Sequence, residues 1–128
     1  MLALIDAGDR HHHAVLALYE RSSNEWVLPW AILPEVDYML YRHIGADVQR
    51  AFLRDIAKAN FAIEWGEASD LTRAHTLCTQ YRDLELGLVD ASVAAVAERV
   101  QANIATLDLR HFGALSLIGA PRLLPRDA

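Results

Sequence analysis

Leu86-Gly87-Leu88-Val89-Asp90-Ala91-Ser92, running on through Glu98-Arg99 to Ile104-Ala105-Thr106-Leu107-Asp108-Leu109-Arg110-His111-Phe112, is the stretch that decides the fold. Ala91, Val93, Ala94, Ala95, Val96, Ala97 and Val100 make a helix that is apolar on most faces, which places it inside the protein. Ile104 to Leu107 is a short apolar run of the buried-strand kind. In an open α/β sheet, residues just past the carboxyl end of a strand line the ligand crevice. Asp108 falls there, and Asp90, in the first turn of the helix leading into that strand, can reach the same place. Two carboxylates about 4 Å apart repel by roughly 4 kcal/mol at an effective dielectric of about 20. A shared site must therefore hold a proton or a cation, and oxygen-only ligands point to Mg²⁺ or Mn²⁺. The same residues also fit a plainer reading, with Asp90 as a helix N-cap and Asp108 opening a turn. Spacing alone leaves both open.

A chain of 128 residues, 53% of them hydrophobic, suits a single domain over 1–128 with a sizeable core. No apolar run approaches the ~20 residues needed to span a bilayer. The opening carries no basic leader segment. Cys78 stands alone, which excludes an internal disulfide, suits a reducing cytoplasm, and reads as a small packing residue. The net charge of −5 argues against broad electrostatic binding of nucleic acid. It does not exclude a nuclease, because a cluster of site acids lowers the total while a bound cation restores positive charge locally. An acidic chain also suits a basic partner.

The run LGLVDAS…AER…ATLDLRHF resembles the C-terminal signature of the PIN-domain ribonucleases, specifically the VapC toxins of bacterial toxin–antitoxin pairs. Pro29-Trp30-Ala31-Ile32-Leu33-Pro34-Glu35-Val36-Asp37-Tyr38-Met39-Leu40 resembles that family's P-x-x-L-x-E-x-x-Y-L-L helix. Leu2-Ala3-Leu4-Ile5-Asp6-Ala7-Gly8-Asp9-Arg10-His11-His12 resembles its LxALxDxxDxxH segment. The resemblance implies that Asp90, Asp108 and Glu35 are metal-site carboxylates holding Mg²⁺ or Mn²⁺. It implies RNA as substrate, a VapB-like antitoxin as cognate partner, and a homodimer. The fold it implies is α/β: a PIN-like three-layer sandwich with a short, mainly parallel sheet flanked by helices. In the family, a strand ending in aspartate precedes the LxAL helix, and here Met1 falls inside that helix. The first strand is thus missing or incomplete, and the expectation is a true start upstream of Met1. The leading function is a metal-dependent endoribonuclease toxin working through an activated water. The alternative is a non-catalytic PIN protein that binds the antitoxin without cleaving RNA.

In chain order, Leu2 to Ile5 reads as a helix fragment closed at Gly8, and Asp9 caps a helix from Arg10 to Arg21. His11, His12 and His13 point about 100° apart on a helix, so they cannot converge on one ion. His12 matches the family's DxxH histidine. Glu25 to Leu28 reads as a strand anchored by Trp26 and Val27. Pro34 places the next helix start near Ile32 or Leu33, which sets Glu35 in the first turn, where free amides favour its charged form. Val36, Met39, Leu40 and Ile44 form its buried stripe, and Gly45 ends it. Asp47 caps a helix to Lys58 with Phe52, Leu53 and Ile56 inward and Arg50, Arg54 and Lys58 outward. Phe61 to Trp65 alternates as a strand. Ser69 or Asp70 caps a helix to Arg82, with Leu71, Ala74, Leu77, Cys78 and Tyr81 apolar. Asp83 reads as a loop residue, Gly87 permits the turn into the key helix, His111-Phe112 packs locally, and Pro121 to Pro125 gives a last edge strand.

Overall fold

The computed structural model describes residues 26–106 and 109–127. The helices expected before residue 22, with His11, His12 and His13, lie outside the described residues, as do Leu107 and Asp108. The chain divides into two compact units at Glu64 and Trp65. No helix among the described residues is long and apolar enough to cross a membrane.

In the first unit, β1 (Val27–Pro29) pairs in parallel with β2 (Ala62–Glu64), with Leu28 opposite Ile63. A strand of this length has only one residue to send inward, and that residue is Leu28, 5% exposed. Val27, expected as an anchor, is 49% exposed. Successive side chains on a strand point to opposite faces, so burying Leu28 turns Val27 out. A single turn of 3₁₀ helix, Trp30–Ile32, leads into α1 (Leu33–His43). Pro34 sits in the first turn of α1, where an absent amide hydrogen costs nothing because it has no acceptor. Leu40 is fully buried and joins Leu28 and Phe52, with Val36, Val48, Ile56 and Ile63 packed around them. Ile44, expected in the stripe, is exposed just past the helix end.

Gly45 carries φ +146°, a backbone state closed to other residues, and it is the N-cap of α2 (Ala46–Ala57). Asp47 is therefore inside the helix rather than its cap, and it pairs with Arg50 one turn on. Phe52 is buried and its ring lies 6.0 Å from that of Phe61. Leu53, one residue further round the helix, is turned outward, against expectation. Arg50, Arg54 and Lys58 form the expected exposed face. Gln49 Nε2 donates to Asp37 Oδ1 at 2.9 Å, tying α2 to α1.

In the second unit, α3 (Ala68–Gln80) starts two residues before Asp70. Asp70 is thus the third helical residue, not the cap, and its Oδ2 accepts the Glu67 amide at 2.9 Å. Ala74 and Leu77 are buried, whereas Leu71 is exposed. Cys78 is half-buried, and its thiol donates to the Leu86 carbonyl at 3.4 Å. Asp83 lies in a 3₁₀ turn, Arg82–Leu84, followed by Glu85 in the left-handed region at φ +54°. The chain turns at Glu85 rather than at Gly87, whose backbone is ordinary extended (φ −93°, ψ 178°).

Helix α4 (Leu88–Val100) buries Ala91, Ser92 and Ala94 to Ala97, as its composition predicts. Beyond it, β3 (Ile104–Ala105) pairs in parallel with β4 (Leu123–Leu124), Ile104 opposite Leu123 and both buried. Every strand pairing among the described residues is parallel. Short parallel strands alternating with helices give the α/β class.

Helices α3 and α4 are joined by apolar packing and by two forked ion pairs. Arg73 Nε and Nη2 donate to Glu98 Oε1 and Oε2 at 2.6 and 3.0 Å. Arg99 Nε and Nη2 donate to Asp70 Oδ1 and Oδ2 at 2.8 and 3.0 Å. Both acid side chains are nearly enclosed, Asp70 at 5% exposed and Glu98 at 6%. Arg99 holds Asp70 below the usual carboxylate range, against the upward push of burial. Arg73 does the same to Glu98, whose Oε2 also accepts the Ile118 amide at 2.7 Å.

Candidate metal centre

Asp90 is the third residue of α4, where backbone amides lack intrahelical acceptors and the helix dipole favours an anion. It is not an N-cap; that position is Gly87. The Asp90 side chain is 28% exposed, open enough to meet a ligand.

Its neighbour in space comes from α5 (Leu109–Phe112), a helix of four residues. Phe112 is buried in the cluster of Leu77, Ala94, Ala97, Ile104 and Leu123, which fixes the helix to the core. Gly113 follows at a close approach: a Cβ there would collide with the Leu109 carbonyl oxygen, to which the Gly113 amide donates at 3.0 Å. Anchored through Phe112, α5 carries His111 to Asp90, with Nδ1 2.9 Å from Oδ2. The sequence reading assigned His111 to local packing. Its pattern held no direct sign of a contact across the 21 residues separating the two positions; the only available hint was that both lie in the stretch quoted at the outset.

Glu35 occupies the third position of α1, the place in its helix that Asp90 has in α4, and it is exposed. It belongs to the first unit and Asp90 to the second. Asp108 lies outside the described residues. What the described structure brings together is therefore Asp90 and His111. Among the described residues, no three acidic, histidine or cysteine side chains form a metal-holding group. The donor chemistry at Asp90 nonetheless fits a hard divalent ion: a part-exposed carboxylate suits Mg²⁺ or Mn²⁺. Ligating carboxylates are themselves commonly held by a hydrogen bond, as Asp90 is held by His111. A cavity of about 310 Å³ behind α5, lined by Phe112, Leu115, Leu117, Pro121 and Arg126 among others, is lined by neither Glu35 nor Asp90.

A family model described as the PIN domain matches residues 1–115. Ribonuclease VapC26 of Mycobacterium tuberculosis is 32% identical over 123 residues, covering 95% of this chain and 91% of VapC26. In fold, the chain is similar to the crystal structure of Mycobacterium tuberculosis VapC20, described as a sarcin–ricin-loop-cleaving toxin. That likeness has a TM-score of 0.78 at 22% identity and covers 91% of this chain and 90% of VapC20.

Proposed function

The chain belongs to the PIN-domain family, among its VapC-type members, and from that premise we propose that it is a divalent-metal-dependent endoribonuclease toxin. Asp90, Asp108 and Glu35 would hold Mg²⁺ or Mn²⁺. The ion, when bound, lowers the pKa of a water and offsets the charge that builds on the scissile phosphate. The chain's own part is to present carboxylates from helix and strand ends and to bring RNA to them. No nucleophilic side chain is required. The observation that carries this reading is Asp90, ordered on the first turn of α4 within a family match that spans Glu35, Asp90 and Asp108.

The remaining features of the proposal follow from the same family. Residues 1–128 act as a single PIN-like domain, a cytoplasmic homodimer whose RNA site is blocked by a VapB-type antitoxin. The net charge of −5 favours a basic partner of that kind.

The test is cleavage of RNA by the chain with Mg²⁺ or Mn²⁺ and with chelator. Cleavage is expected with metal, abolished by chelator, and reduced roughly 100-fold or more in Asp90→Ala and Asp108→Asn. Glu35→Gln should fall in the same direction. Cleavage surviving all three substitutions would remove these acids from the mechanism. A chain inert towards RNA that still binds an antitoxin would establish the non-catalytic alternative.

A further inference from the structure

We propose that His111 is a positioning residue for Asp90, fixing the orientation in which that carboxylate meets a divalent ion; the inference rests on the function proposed above. The geometry supplies the argument. A ring nitrogen 2.9 Å from a carboxylate oxygen carries the hydrogen between them, so Nδ1 is the protonated nitrogen and donates to Oδ2. The imidazole cannot swing away easily. Phe112, the next residue, is sunk in the core, and the Gly113 amide closes the helical turn that carries His111 on the Leu109 carbonyl. Both partners are part-buried, His111 at 21% exposed and Asp90 at 28%, where a hydrogen bond is worth more than in open water.

A carboxylate on a helix swings about two torsions, and each orientation aims its oxygens differently. One held in a single orientation loses less freedom when it takes up an ion, which appears as affinity. The residue that does this stands outside the acids themselves. Consecutive positions 111 and 112 divide the work, the histidine facing the carboxylate and the phenylalanine facing the core.

The experiment measures Mn²⁺ binding to the full chain by isothermal titration calorimetry without RNA, comparing wild type with His111→Phe and His111→Asn. Asparagine can place an N–H donor near the Nδ1 position; phenylalanine keeps ring volume but donates nothing. Expected is a loss of Mn²⁺ affinity of about 10- to 100-fold in His111→Phe and substantial recovery in His111→Asn. Thermal midpoints in chelator, measured alongside, separate lost affinity from lost folding. Unchanged affinity in a folded His111→Phe, or equal losses in the two variants, would overturn the proposal. A readout on the wild type needs no variant: long-range ¹H–¹⁵N spectra should show His111 as the Nδ1–H tautomer when neutral, and the Nε2–H tautomer would overturn it. If wild type binds no Mn²⁺ at all, the proposed function fails, and this inference with it. If wild type binds and His111→Phe binds equally well, the positioning role alone fails.

Discussion

Helices α1 and α2 meet through Leu40, Phe52 and their apolar neighbours, with Gln49 and Asp37 adding a hydrogen bond. Helices α3 and α4 meet through Leu77, Ala94 and Ala97 and also through two forked arginine–carboxylate pairs. The two candidate acids sit in this contrast. Glu35 and Asp90 have the same position in their helices, yet Glu35 faces solvent while Asp90 is part-buried and bonded to His111. Apolar packing holds a helix in place without caring much how it turns. Directional ion pairs also fix its rotation and height, which is what an acid needs if its oxygens are to be aimed.

The largest test of that contrast is Asp70→Ala. It breaks the fork to Arg99, whose Nη1 still lies 3.5 Å from Glu67 Oε1, and removes the acceptor of the Glu67 amide, at a cost of about 3 kcal/mol read from urea denaturation. Adding Arg99→Met should recover part of that loss, because the part-buried guanidinium that lost its forked acceptor goes with it. A cost near zero for Asp70→Ala alone would break the contrast. Next comes Leu40→Ala in the apolar pair, expected to cost about 3 kcal/mol through lost burial and the cavity left behind.

Acid should find the second unit first. Asp70 and Glu98 are held below their ordinary range by arginine, so they contribute stability above the unfolded carboxylate pKa of about 4 and lose it as pH falls through their depressed folded values. Denaturation midpoints should therefore be steady above about pH 5 and fall below about pH 4. Asp70→Asn combined with Glu98→Gln should flatten that fall. The smallest effect belongs to Arg126→Ala. Its fork to Asp127 draws that carboxyl down to about 2, but the pair is solvent-exposed, and no change in denaturation midpoint is expected.

Much of this was legible in the chain. The alanine-rich run from Ala91 to Ala97 announced a buried helix because the small Ser92 is the one polar residue in it, and Pro34 located the start of α1 by its missing amide. What escaped had physical causes. A strand of three residues is too short for alternation to say which side is in, so the sequence points to Val27 where the structure buries Leu28. Caps slipped because Gly45 and Glu67, by their backbone state, began helices ahead of the acids Asp47 and Asp70. The contacts of Glu98 and Arg99 with α3, and of His111 with Asp90, join residues far apart in sequence, and no local pattern encodes them. Asp108, the acid the family signature marks most sharply, lies outside the described residues, so its role rests on the resemblance.

The two forks between α3 and α4 are crossed in sign. Asp70 precedes Arg73 on one helix and meets Arg99, while Arg73 meets Glu98 on the antiparallel neighbour. Sliding α4 by one turn would set arginine against arginine or acid against acid, so the charges work as a key that admits one axial setting. A turn of helix is about 5.4 Å long. An α4 displaced by that notch would carry Asp90 out of reach of His111, so the lock that sets the helix's height, eight residues away from the acid, also decides whether the carboxylate and the imidazole ever meet.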